Sequence, residues 1–131
     1  MIKNLIKPIV PKFILDKLKS KKEKKLYQEW KEKGSTQSPP HIVKQMAIRD
    51  YQKKFQTKIL VETGTYMGDM VEAQKKFFDN IFSIELGEDL YRKAVHRFHK
   101  DKHIKIVHGD SGKMLPNVLD EIKEPAIFWL D

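Results

Sequence analysis

The stretch KILVETGTYMG, Lys58 to Gly68, decides the fold. An apolar run ends at the acid Glu62, and two glycines, Gly64 and Gly68, follow four apart. A strand that enters a glycine-bearing turn and then a helix can hold a nucleotide cofactor. Gly64 permits a tight turn whose backbone a side chain would hinder. Gly68 lets the next helix start close to the strand and to a ligand. Tyr66 stands where the commonest dinucleotide fingerprint has another glycine, the one that lets a pyrophosphate approach the backbone. Asp69 adds negative charge in the first helical turn, where a phosphate would otherwise sit. Both details count against a dinucleotide. They are compatible with a cofactor that carries adenosine but no phosphate.

Downstream, short strands and helices alternate. MGDMVEAQKKFF places apolar residues at 67, 70, 71, 77 and 78, which predicts one helical face. NIFSIE is a second strand ending at Glu85, and EDLYRKAVHRFHK repeats a helical face at 91, 94, 95 and 98. HIKIVHGD is a third strand ending near Asp110. Ser111 is placed to cap the following turn, and Pro116 suits the first position of a helix through Ile122. PAIFWLD is a fourth strand. This βαβαβαβ order implies an α/β fold with parallel strands and right-handed crossovers. Strands covered on both faces read as apolar runs, and ILV and AIFWL do.

Upstream, Ile2, Leu5, Ile6, Ile9, Val10, Phe13, Ile14 and Leu18 recur at three- and four-residue steps, so residues 1–33 read as a helical arm. Pro8 and Pro11 break or kink its first turns. Leu26, Tyr27 and Trp30 continue a thinner apolar stripe, and Gly34 is the expected C-cap. Residues 34–57 form a linker, GSTQSPP, and a further helix, HIVKQMAIRDYQKKF. Residues 58–131 are read as a truncated cofactor-binding domain.

The net charge of +8 is unevenly placed. Residues 1–33 hold eleven lysines against four acids, a balance of +7, which leaves +1 for the remainder. That asymmetry argues against the globular part as a nucleic-acid binder. The arm is read as a solvated, lysine-rich helix. A helix lying on anionic lipid is the sharper alternative, which the prolines weaken. The chain has no cysteine, which excludes disulfides and thiolate metal sites. No apolar run approaches the roughly 20 residues that span a bilayer. Lys3, Lys7, Pro8 and Pro11 make the N-terminus a poor signal peptide. A cytoplasmic location, with or without contact to the inner membrane face, is the expectation.

In a parallel sheet of this kind, ligands bind beyond the carboxyl ends of the strands, where strand order reverses. Glu62, Glu85, Asp110 and Asp131 all fall at that edge. Glu85 follows Glu62 by 23 residues, near the spacing of about 20 at which a ribose-binding acid is expected. Its oxygens can accept both ribose hydroxyls. Asp110 suits an adenine amino group, and equally a helix N-cap. His96 and His99 share a face at three-residue spacing with His103 just beyond, but no metal signature accompanies them. His108 sits beside the cofactor turn.

Together, VETGTYMG, IFSIEL, IVHGDS and FWLD resemble motifs I to IV of class I S-adenosylmethionine-dependent methyltransferases. The resemblance covers about residues 55–131 and is nearest to bacterial methyltransferase-like proteins found with polysaccharide biosynthesis genes. PPHIVKQ is also similar to that subgroup, in which His41 and Lys44 would close over the site. The resemblance implies a Rossmann-like sheet of order 3-2-1-4 within the part present. It implies S-adenosylmethionine as cofactor and a sugar or other small molecule as acceptor. Glu62, Thr63, Gly64 and Gly68 would surround the cofactor's methionine part, Glu85 would hold the ribose, and Asp110 and Ser111 would flank the adenine. Asp131 would be the catalytic acid near the methyl group, and no metal ligand is assigned. The family sheet has seven strands and this chain supplies four. The chain is therefore expected to be a portion of a longer enzyme, or to borrow the missing half from a partner. An open β4 edge would favour a homo-oligomer. The alternative is a non-catalytic Rossmann-like module for assembly or membrane contact.

Overall fold

The computed structural model describes residues 21–131, so the apolar pattern of the first 18 residues lies outside the described part. The chain divides into two units, Met1–Ala47 and Ile48–Asp131.

In the first unit, helix α1 spans Lys21–Glu32. Its stripe buries Tyr27 and Trp30, which pack with Ile42, Val43 and Met46 from the start of helix α2, His41–Phe55. The Trp30 indole N–H donates to the Gln37 carbonyl at 2.9 Å, so the polar end of a buried ring is satisfied. Gly34, at φ 70°, ends α1. The Gly34 and Ser35 amides donate back to the Lys31 and Trp30 carbonyls, the paired bonds of a Schellman stop.

The second unit is a four-stranded parallel sheet of order β3-β2-β1-β4: β1 Ile59–Thr63, β2 Asn80–Glu85, β3 Ile104–His108 and β4 Ala126–Leu130. Helices α3 (Asp69–Gln74), α4 (Glu88–Arg97) and α5 (Ser111–Glu121) form the crossovers. Successive side chains of a strand face opposite ways, and two cores follow. Leu60 and Ile81 pack with Met70, Val71, Phe78, Ala94 and Phe98 on one face. Ile59, Val61, Phe82 and Ile84 pack with Val118 and its neighbours in α5 on the other. The central strand β1 is buried throughout, whereas the edges β3 and β4 are half exposed. Burying one such Leu or Ile contributes roughly 1.5–3 kcal/mol, so Leu60, with no exposed surface, anchors the unit.

Two expectations are corrected. The helix read across MGDMVEAQKKFF is a single six-residue stretch, Asp69–Gln74, and the exposed Met67 and Phe77 lie outside it. It is bounded by left-handed Gly68 and by a turn in which the Phe77 amide bonds the Gln74 carbonyl. Pro116 does not begin a helix but lies inside α5, which starts five residues earlier because Asp110 caps it. The missing proline N–H leaves the Gly112 carbonyl without its helical donor.

Candidate cofactor site at the strand ends

The site is built on the turn after β1. The Gly64 and Thr65 amides both donate to the Ile84 carbonyl of β2, at 2.8 and 3.2 Å, so the turn is tied to the neighbouring strand. The Gly68 amide closes back on the Thr65 carbonyl at 2.9 Å. Gly64 (φ 82°), Tyr66 (φ 49°) and Gly68 (φ 83°) are all left-handed. For the glycines this is nearly free; for Tyr66 it costs about 1–2 kcal/mol. Tyr66 thus takes the conformation that favours glycine while presenting a ring that is 69% exposed. A Cβ on Gly68 would meet the Phe98 ring at 2.8 Å. Gly68 therefore serves the close seating of this turn on the residue that ends α4.

Period-two alternation puts Glu62, Ser83 and Glu85 on the same face as Leu60 and Ile81, and carries Asp131 there beyond Trp129. Glu62 is only 3% exposed. One of its oxygens accepts the Ser83 hydroxyl at 2.6 Å, and Ser83 in turn bonds the Thr65 hydroxyl at 2.7 Å. Burial pushes the Glu62 carboxyl up to about 7; the Ser83 bond opposes this, while Asp131 and Glu85 add to it by like-charge repulsion. Asp131 donates its amide to the Thr63 hydroxyl at 3.1 Å, and its Cβ lies 3.9 Å from where a Gly64 Cβ would stand. Three acids thus converge where β1 separates β2 from β4. Among the described residues, no lysine or arginine forms an ion pair with any of them.

Glu85 is engaged by backbone. Its two oxygens accept the Tyr66 and Gly87 amides, each at 2.8 Å. Each oxygen keeps a lone pair for a further donor. Asp110 lies two residues past β3 and caps α5 through the Lys113 amide at 3.2 Å. Ser111, expected as the cap, is the first helical residue instead. The Asp110 turn is tied to β2 because the Gly109 amide donates to the Glu85 carbonyl at 2.9 Å. The strand ends therefore bring Glu62, Thr63, Gly64, Glu85 and Asp131 together, with Asp110 and Ser111 one turn further out.

His108 stacks on Tyr91, with ring centroids 4.8 Å apart, and its Nε2 lies 3.2 Å from the Leu86 carbonyl oxygen. His96 and His99 stack on each other at 5.7 Å, and His103 bonds the Lys75 carbonyl. No cluster of three metal-ligating side chains occurs among the described residues. His41, in the first unit, pairs with Gln45. A cavity of about 320 Å³ lies apart from the acids, between α4 and β3, lined by residues that include Val95, Phe98 and His99.

Sequence reading missed Thr65, Ser83 and Arg97. Ser83 had a signal, as the one polar residue in the otherwise apolar IFSI, Ile81 to Ile84. Arg97, whose Nη1 donates to the Met67 carbonyl at 2.7 Å and to Asp69 at 2.9 Å, had none, because its partners lie 30 and 28 residues away.

No protein-family model and no curated relative matches the chain. Solved structures do. An O-methyltransferase from Bacillus cereus in complex with SAH superposes with a TM-score of 0.61 at 13% identity, over 91% of this chain and 58% of that one. The O-methyltransferase TomG from Streptomyces achromogenes, involved in tomaymycin synthesis and solved with SAM, gives 0.58 at 13% identity, over 88% and 57%. The chain thus spans a little over half the length of these matches. The 3-2-1-4 parallel sheet with flanking helices is the Rossmann-like fold of the methyltransferases.

Proposed function

We propose that this chain binds S-adenosylmethionine and is the cofactor-binding portion of a methyltransferase acting on a sugar or another small molecule. The observation that carries the reading is the convergence of Glu62, Glu85 and Asp131, without cationic partners among the described residues, around a left-handed turn at the sheet's switch point. Such an edge repels phosphate and suits a ligand that offers a cationic amine, a sulfonium and ribose hydroxyls. Bound there, the cofactor supplies an electrophilic methyl group.

In this reading Glu62, Thr63, Gly64 and Gly68 surround the methionine part. Glu85 accepts the ribose hydroxyls with its remaining lone pairs while its amide bonds hold the turn. Asp110 and Ser111 flank the adenine. The turn excludes water from one side and fixes orientation, so the contribution of these residues is positioning. Asp131, at the lip of the crevice, takes the acceptor proton as general base. The acceptor itself would be held largely by the part of the longer methyltransferases that this chain does not span.

Differential scanning fluorimetry with S-adenosylmethionine, and with NAD as the control, tests the reading. Ligand at a hundred times its Kd stabilises by about 2.7 kcal/mol, which raises the melting temperature by several degrees. S-adenosylmethionine is expected to do this and NAD is not; a folded sample that responds to neither sinks the proposal. A second reading, a non-catalytic module at an anionic membrane, rests on the charge of residues 1–33. Tyr27 and Trp30 are buried within the first unit, which leaves Leu26 as the exposed large apolar residue of α1, so contact with lipid from α1 would be made mainly by lysines. Salt-sensitive co-sedimentation with phosphatidylserine vesicles would favour it.

A further inference from the structure

We infer that Arg97 is a positioning residue for the cofactor turn, acting with Glu85 to hold Tyr66–Gly68 in a turn whose first and last residues are left-handed. The inference rests on the proposed cofactor reading. It starts from a residue that is in an unfavourable conformation without obvious cause: Tyr66, at φ 49°, has no glycine's freedom, yet it sits between two left-handed glycines. Such a turn persists only where its surroundings over-determine it.

Two side chains do so from the two ends of the same crossover. On one flank, the Glu85 carboxylate at the end of β2 accepts the Tyr66 amide at 2.8 Å. On the other, the Arg97 guanidinium in the last turn of α4 reaches back to the Met67 carbonyl at 2.7 Å and the Asp69 carboxylate at 2.9 Å. Its Nε lies 3.8 Å from Glu72, so a second acid helps aim the guanidinium plane. The next residue, Phe98, is the floor against which Gly68 closes, with no room for a Cβ. Residues 66, 67 and 69 are thus each tied by a side chain, and residue 68 is seated. Both bonds leave one nitrogen, Nη1, which a lysine ammonium could imitate, but a lysine has no second nitrogen for Glu72 and no plane to hold the donor in place.

The consequence is a pre-formed binding turn. If only a fraction of molecules holds the turn closed, the apparent Kd rises by the inverse of that fraction. The Arg97 pairs are partly exposed and contribute little to global stability. A positioning role therefore separates from a structural one: cofactor affinity falls while the melting temperature of the free protein hardly moves.

The test uses the full chain. Wild type, Arg97→Gln, Arg97→Lys, Tyr66→Asn and the Arg97→Gln/Tyr66→Asn double variant are titrated with S-adenosylmethionine by calorimetry. Amide hydrogen exchange at Tyr66 and Gly68 is followed without ligand. Arg97→Gln is expected to weaken binding about tenfold and to speed exchange at both amides, with Arg97→Lys recovering part of each. Asparagine tolerates the left-handed region, so in the Tyr66→Asn background the loss from Arg97→Gln shrinks to about threefold or less. An Arg97→Gln protein that binds within twofold of wild type, or a loss undiminished in the Tyr66→Asn background, overturns the inference. Should wild type itself not bind, the cofactor reading fails first; exchange then decides, and unchanged Tyr66 and Gly68 amides in Arg97→Gln overturn the positioning role as well.

Discussion

Glu62 carries the sharpest consequence at the scale of single residues. Its carboxyl titrates near 7 in the folded chain against an ordinary 4.5, because it is buried and faces Asp131 and Glu85. The folded state therefore keeps a proton that the unfolded state releases above about 4.5. The stability this gives is complete below that value and is lost as pH rises to about 7. At about 1.4 kcal/mol per pH unit, the loss is on the order of 3 kcal/mol. Glu62→Gln keeps an acceptor for Ser83 and removes the titration. Urea unfolding at pH 5 and pH 8 should show the variant's stability nearly flat where wild type falls; a parallel fall in both would contradict the assignment. For Glu85, Glu85→Ala removes a charged acceptor and should weaken S-adenosylmethionine binding about 10–100-fold by calorimetry. Equal binding would remove the ribose role. The positions of both acids were legible in the sequence, because each ends a short apolar run. The proton on Glu62 was not, since it depends on burial in the folded sheet and on Asp131 and Glu85, 69 and 23 residues further on.

At the scale of elements, the strands were read nearly residue for residue and the helices less well. NIFSIE coincides with β2, and PAIFWLD overruns β4 by one residue at each end, because a short apolar run between polar turns has few ways to pair. The α3 crossover was read too long. Its apolar residues at 67 and 77 fit a helical face, but backbone geometry ends the helix before either takes part. The start of α5 was read too late, because Pro116 is a helix-start residue in isolation and the Asp110 cap overrides it. The turn between β1 and α3 offers a graded test. Gly64→Ala meets ordinary van der Waals contact and carries only the left-handed penalty of about 1–2 kcal/mol. Gly68→Ala carries the same penalty and must also displace Phe98, so it should cost roughly 1–3 kcal/mol more. Chemical denaturation of the two variants measures the difference, and equal losses would show that Phe98 does not seat this turn.

At the scale of the whole molecule, the α/β class and the parallel sheet followed from strand and helix alternation, and the order 3-2-1-4 from the methyltransferase resemblance; both stand in the structure. The candidate site was legible as a row of strand-end acids. It was not legible as a network, because the bonds through Ser83, Thr65 and Arg97 join distant parts of the chain. The outer edge of β4 has no neighbouring strand among the described residues, and Leu130 there is 68% exposed. Such an edge invites pairing. Sedimentation velocity of the 131-residue protein should show concentration-dependent association that Leu130→Lys reduces; a monomer at every concentration would contradict this. Most direct for the central claim is a titration of the isotope-labelled protein with S-adenosylmethionine, followed by amide shifts. The account predicts saturable shifts concentrated at Gly64–Gly68, Glu85–Gly87 and Asp110–Ser111. Shifts confined to the α4–β3 cavity around His99, or none at all in a folded sample, would contradict it.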